Sequence, residues 1–340
     1  MPPTDYSRPL TLISLDVDAT HDGIRLDRVL IERLPHRSRS FFQMRIEGGR
    51  IRVNGQRVRA SWKVKKGDRI DIDVEVNAHW VDPHSIPLDV IHEDAGLVAV
   101  NKQPWILVHP TGGVQGGTLL NALHARHRSR GGDDATLPSV VHRLDAETSG
   151  VLVMAKGPEA ARHYGQSFEN RHTVKVYLAL LEGKVSAFSS KEPLGDDPHS
   201  EIRVRQGVLP EDRGGKPAHS DFLPLASDGA MTLCAVRIHT GRLHQIRVHA
   251  QHAGHPVVGD PLYNPRDLDE RRWIEGAEPA EPQPGRPRRH MLHAHLLSLP
   301  SLDGKELRIT APATTDFLAF ARDLFESWAS SGKTLEWGHR

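Results

Sequence analysis

Four residues, His142-Arg143-Leu144-Asp145, run through Ala146-Glu147-Thr148-Ser149-Gly150 into the mostly apolar stretch Val151 to Lys156. The apolar stretch reads as a buried strand, which puts Asp145 on the loop that feeds it. A loop backed by a rigid strand can present a reactive side chain at a fixed place. Here that side chain is a carboxylate with a guanidinium two positions before it. The same residues also fit a plain turn in which Arg143 merely pairs with Asp145, as exposed Asp/Arg pairs commonly do. These four positions alone do not separate the two readings.

A second polar group is harder to explain as structure. Thr240-Gly241-Arg242-Leu243-His244-Gln245-Ile246-Arg247-Val248-His249 continues to Gly254-His255-Pro256 and Gly259-Asp260. Arg242, Gln245, Arg247 and His249 are too polar for a plain core helix. His244, His249, His252 and His255 raise the question of a metal. Their spacing is not the i, i+4 pair of a zinc hydrolase helix and no glutamate completes one, so no metal is expected. Between the two groups, Thr173 to Gly183 reads as a strand carrying Lys175 and Tyr177. A tyrosine in a strand is most often a core or half-exposed ring.

Taken in order, these segments resemble the RluA family of pseudouridine synthases. The resemblance rests on H-R-L-D-x-x-T-S-G-x-x-x-x-A-K, on K-x-Y at Lys175 and Tyr177, and on T-G-R-x-H-Q-I-R-x-H with its G-D-x-x-Y continuation to Tyr263. It extends to L-H-A-x-x-L from Leu292 and to the loop from Asn101 and Lys102 to His109 and Pro110. Two positions depart from the pattern: Trp105 stands where glycine is common, and Leu243 where threonine is usual. The resemblance implies isomerisation of uridine in RNA. The glycosidic carbon–nitrogen bond breaks, the uracil turns, and a carbon–carbon bond forms to the same ribose. Nothing is oxidised and no group is lost, so no cofactor is expected.

The resemblance also assigns roles. Asp145 is the catalytic carboxylate, Arg247 its ion-pair partner, and Tyr177 the ring that stacks on the uracil and assists the proton removal that ends the reaction. Arg143 fills the space left by an extruded base, and His142, Arg242 and Lys102 join it in contacting RNA. The implied fold is α+β, a catalytic domain on a mostly antiparallel central sheet, expected over residues 88–330. Strands and helices do not alternate here as regular βαβ units, which agrees.

The elements before this domain carry a different signal. Over residues 24–76 there are 14 Lys and Arg against 7 Asp and Glu, a net of +7 in a chain whose total is +1. Such asymmetry suggests a nucleic-acid-facing module on a more acidic body. Leu26, Val29, Leu30 and Leu34 recur at helical spacing before Pro35. A second helix opens near Arg39 and carries Phe41, Phe42, Met44 and Ile46 toward a core. Ile51 to Gly55 reads as a strand ending in an Asn-Gly hairpin turn, and Ile70 to Val74 as an alternating strand. This order resembles the small α/β RNA-binding module first seen in ribosomal protein S-four. The resemblance implies an RNA face including Arg37, Arg39, Arg45, Arg50, Arg52 and Lys63. Residues 1–23 are then an extension, 77–87 a linker and 331–340 a tail.

Composition limits the class further. The one cysteine, Cys234, lies in an apolar run, which excludes a disulfide framework and any cysteine-based zinc site. No stretch is apolar over the 18 or more residues of a membrane span, and the first residues lack a signal pattern. A cytoplasmic monomer acting on RNA is expected. An S-four-like module in this family accompanies large-subunit ribosomal RNA enzymes more often than tRNA enzymes, so large-subunit RNA is the expected substrate and tRNA the alternative. Two other classes fit less well: a non-catalytic RNA-binding or assembly factor, and a metal-dependent hydrolase built on the histidines.

Overall fold

The computed structural model describes residues 12–34, 39–73, 81–111, 114, 116–270, 273 and 281–332. They divide into two compact units, residues up to 86 with 109–130, and residues 87–108 with 131 onward. Among the described residues no helix is long and apolar enough to cross a membrane.

In the smaller unit, β1 (Leu12–Asp16), α1 (Leu26–Arg33), α2 (Arg39–Glu47), β2 (Ile51–Val53), β3 (Gln56–Arg57) and β4 (Arg69–Asp73) follow one another. The sheet order is β1-β4-β2-β3. α1 buries Leu26, Val29 and Leu30, and α2 buries Phe42 and Ile46 one turn apart. Met44, expected in the core, is 66% exposed, because two positions from Phe42 is more than half a helical turn. Asn54 and Gly55 both take positive φ (50° and 76°), as a two-residue hairpin turn requires.

The extension predicted over residues 1–23 needs correction, since β1 pairs antiparallel with β4, Ile13 opposite Ile72. Ser14 Oγ donates to Asp71 Oδ1 at 2.7 Å across that pairing. A partner so distant in sequence leaves no local pattern to read. The helix α3 (Leu119–Ser129), capped by Thr118 and Asn121, also groups with this unit, packing on the short 3-10 turn Pro83–Ser85.

The larger unit is a ten-stranded sheet. Its strands are β5 (Val90–Glu93), β6 (Leu97–Lys102), β7 (Pro138–Val140), β8 (Ser149–Lys156), β9 (Val174–Glu182) and β10 (Phe188–Ser190), then β13 (Ser220–Ser227), β14 (Met231–Ile238), β15 (Leu292–Pro300) and β16 (Glu306–Thr310). The order is β10-β13-β14-β9-β15-β8-β6-β5, with β16 beside β15 and β7 beside β8. A separate pair is β11 (Leu194–Asp196) with β12 (Gln206–Val208).

Two helices cover opposite faces, and alternation along β9 decides which residues meet which. Ala179 and Leu181 face α5 (Gln245–His252) through Ile246 and Ala250. Leu178 and Leu180 face α6 (Thr315–Ser330) through Phe317, Ala321 and Leu324. A third helix, α4 (Pro158–Glu169), packs Tyr164 against β8 and β6.

Among the described residues all strand pairings are antiparallel but one: β8 and β15 run parallel where Ser149 and Gly150 meet His293 and Ala294. Gly150 has φ +112°, and a Cβ there would stand 2.1 Å from the Ala294 carbonyl oxygen. Gly150→Ala is therefore expected to cost about 2–3 kcal/mol, read as an earlier denaturant midpoint. Unchanged stability would contradict this close strand contact.

Candidate active site

Asp145 stands on the loop entering β8, where the Thr148 N–H bonds back to its carbonyl at 3.1 Å. Its Oδ2 accepts from Arg247 Nη1 at 3.0 Å. Arg247 lies in the first turn of α5 with its side chain 3% exposed. A buried guanidinium needs acceptors for its remaining donors. Buried Asp260 supplies them, taking Nε at 2.6 Å and Nη2 at 2.9 Å, a two-pronged pair that fixes the guanidinium plane. Asp260 Oδ1 is held in turn by the backbone N–H groups of Leu262 and Tyr263. Arg247 thus commits its fork to Asp260 and offers one N–H to Asp145. The Asp145 side chain stays 26% exposed, and its Oδ1 takes no hydrogen bond from the described residues.

Burial alone would raise the Asp145 pKa. His244, Arg247 and Lys102 act the other way and hold it below the ordinary carboxylate value. His244 is itself pushed down to about 4, first by burial and then by Arg247. At neutral pH the guanidinium is therefore the nearest cation.

His244 opens α5 with φ +55°. Its Nδ1 lies 2.8 Å from Tyr263 Oη, and that oxygen already accepts the Gln206 N–H at 2.8 Å. The other ring nitrogen, Nε2, lies 3.9 Å from Asp145 Oδ2. Arg247 lies over the Tyr263 ring, 4.9 Å from its centre.

Tyr177 sits mid-sheet between Val236 of β14 and Ala294 of β15. It lines one pocket with Asp145, Arg143, Arg242 and Leu292. Burial, then the Asp145 charge, push its phenol well up, so it offers a flat ring and a neutral O–H.

Two residues predicted to touch RNA do something else. Lys102 is 1% exposed, and its Nζ donates to the carbonyls of Gln103 (3.0 Å), Ile106 (2.9 Å) and Ala146 (2.8 Å). It ties the Trp105 loop to the residue after Asp145. Burial, then Arg289, bring it down to about 7. His142 accepts the Val153 N–H at 3.0 Å and stacks on Phe168, while burial brings it down to about 3. It anchors the loop to β8 as a neutral ring, although its edge lines a neighbouring groove. Charged residue types are visible in a sequence, but burial is not. Arg143 is exposed at the pocket mouth, and Arg242 Nε donates to the Pro217 carbonyl at 2.9 Å.

Some supports escaped the sequence reading. Gln245 uses both ends of its amide, accepting from Thr240 Oγ1 and the Arg242 N–H and donating to Ser220 Oγ and the His219 carbonyl. Arg289, at the end of the Pro-, Glu- and Arg-rich stretch 266–289, is 1% exposed. It bonds the Glu147 carbonyl at 3.0 Å and pairs with Asp316 at 2.6 Å, joining the loop after Asp145 to the start of α6. The histidines weighed as metal ligands have separate partners: His249 bonds Ser220 and Glu192, and His255 bonds the Glu182 carbonyl.

On the smaller unit, Arg50, Arg52 and Lys63 are exposed. Arg39 instead clamps buried Asp27 together with Arg25, and Arg45 donates to the Asp73 carbonyl. Arg37 lies outside the described residues.

The profile of the RNA pseudouridylate synthase family matches residues 96–252, and that of the S4 domain matches residues 24–70. A Chlorobaculum parvum protein described as an uncharacterized RNA pseudouridine synthase is 34% identical over 324 residues, spanning 92% of this chain and 94% of its own. This chain belongs to the RNA pseudouridine synthase family. As an RNA pseudouridine synthase it is an isomerase acting on RNA. Ribosomal large subunit pseudouridine synthase D of Escherichia coli O157:H7 is 33% identical over 320 residues, 93% of this chain and 95% of that one. Among solved structures, human RNA pseudouridylate synthase domain containing 1 superposes with a TM-score of 0.53 at 25% identity, over 72% of this chain and 95% of that chain. The pseudouridine synthase fold with its mostly antiparallel sheet agrees with the architecture expected from sequence.

Proposed function

We propose that this chain converts uridines of large-subunit ribosomal RNA to pseudouridine with Asp145 as the catalytic carboxylate. The observation that carries this reading is the Asp145–Arg247–Asp260 array, in which Asp145 is ionised, partly exposed and left with one oxygen unengaged. Either role open to it, attack on the anomeric carbon or removal of a ribose proton, uses that free oxygen. Tyr177 gives the uracil a ring to stack on, and its high pKa makes it a poor stand-in for a base. Arg143, exposed at the mouth, takes the space of the extruded nucleotide. Bond breaking and making are internal to one nucleotide, so atoms and electrons balance with no co-reactant. The choice of large-subunit RNA is supported by the relatives named for that substrate and by the S4 domain.

Because the new bond is made at uracil C5, RNA carrying tritium at C5 reports turnover as release of label into water. Release is expected from large-subunit transcripts; release from tRNA alone would move the substrate, and none from either would refute the proposal.

The lowered Asp145 pKa has a defined sign in this assay. A carboxylate held below its usual value keeps its charge to lower pH, so kcat/KM should hold steady from neutrality down through about pH 5 and fall only below about 4. Half-maximal loss near pH 6 would contradict the ionic environment assigned to Asp145.

A further inference from the structure

A second groove, of about 500 Å³, continues from the catalytic pocket and shares Arg143, Tyr177 and Arg242 with it. Its lining adds Arg171 and Lys175, and among the described residues Glu169 is the one acidic side chain that lines it. Lys175 follows the strand alternation that places Tyr177 in the same groove. Its ammonium has three donors, yet donates to one protein acceptor among the described residues, the Thr240 carbonyl at 3.2 Å. Burial and then the neighbouring Arg171 bring it down to about 8, still mostly charged at neutral pH.

Arg171 is the odder residue. The His172 N–H bonds the Ser167 carbonyl at 2.9 Å, closing α4 in the manner that normally ends on a left-handed glycine. Arg171 occupies that position with φ +60°, a conformation that disfavours a residue with a Cβ. Strain of this kind is held where the side chain has a use. Two cations on one wall repel each other unless an anion lies between them.

Resting on the proposed function, we infer that this groove seats a phosphodiester flanking the target uridine, gripped by Arg171 and Lys175. The flipped base enters the pocket at Asp145 and Tyr177, and the backbone beside it follows the groove. Such contacts fix the register of the RNA without reading its sequence.

The test uses the full-length chain with Arg171→Gly and Lys175→Gln. Arg171→Gly removes the charge and relieves the backbone, so it folds even if Lys175→Gln does not. Binding of a large-subunit RNA transcript is measured between roughly 50 and 200 mM salt, where each lost phosphate contact should reduce the slope of log K against log salt by about 0.7. In tritium release the loss should sit mainly in KM, raised about five- to tenfold. Inorganic phosphate is added as competitor; relief of its inhibition in both variants, with unchanged RNA slopes, would mark a free-phosphate site and overturn the inference. Unchanged slope and KM in Arg171→Gly would overturn it too, as would a loss confined to kcat in both variants. If wild-type chain releases no label from any RNA, the proposed function fails, while the salt slopes still report on the groove.

Discussion

Asp145→Asn will lower pseudouridine formation by at least about 10³-fold, the scale seen when a reacting group is removed, with RNA affinity within a few-fold. The substitution keeps the shape of the side chain, and Arg247 Nη1 still finds an oxygen at the position of Oδ2. What is lost is the negative charge and the basicity of Oδ1. The cations that would bear on RNA, Arg143 at the mouth and the exposed Arg50, Arg52 and Lys63 of the S4 domain, are untouched. Affinity carried by phosphate contacts is insensitive to one buried-edge carboxylate. Tritium release and equilibrium binding on the same protein make the comparison. Turnover within tenfold of wild type would remove Asp145 from the reaction. Equal loss of affinity and turnover would point to a binding role alone.

Asp260→Ala will destabilise the protein by about 3–5 kcal/mol, the cost of stranding a buried charge. Asp260 is 0% exposed and engages two of the guanidinium nitrogens of Arg247. Truncation leaves those donors of a side chain only 3% exposed without their acceptor, and it frees the Leu262 and Tyr263 N–H groups as well. Activity should fall with stability, because Arg247 would swing to pair fully with Asp145 and engage its free oxygen. Asp260→Asn, which keeps the shape and one acceptor, should cost less on both counts. Chemical denaturation of the three proteins reads this directly. An Asp260→Ala protein as stable as wild type would mean that Arg247 is held by something other than Asp260.

The sequence carried the chemistry of the site further than its scaffolding. The H-R-L-D segment and Arg247 could be paired because their motifs occur in a known order, and the structure brings them to 3.0 Å. The apolar run from Val151 marks β8, and the stretch from Thr173, alternating as far as Tyr177 and then apolar to Leu181, marks β9, since continuous apolar character reads as a strand buried on both faces. Lys102 and His142 show what residue type alone does not carry: a polar residue beside the H-R-L-D segment looks like a ligand contact until its burial and its backbone partners are known. Lys102 meets three carbonyls from two loops, and no local pattern announces that.

Positive φ at Trp105 (69°) explains why glycine is the common residue there, although the sequence showed only the departure. His244 drew attention as part of a histidine cluster, whereas its role depends on Tyr263 and Gln206, which reach it from separate segments. The same holds for β1, whose partner strand lies beyond two helices and a hairpin.

The most direct test is pseudouridine mapping, by carbodiimide treatment and primer extension, on total RNA from cells with and without this gene. Loss of stops at particular uridines of large-subunit ribosomal RNA, restored by the wild-type gene and not by Asp145→Asn, is the outcome this account requires. Stops that persist without the gene, in RNA that the purified chain also leaves unmodified, would contradict it.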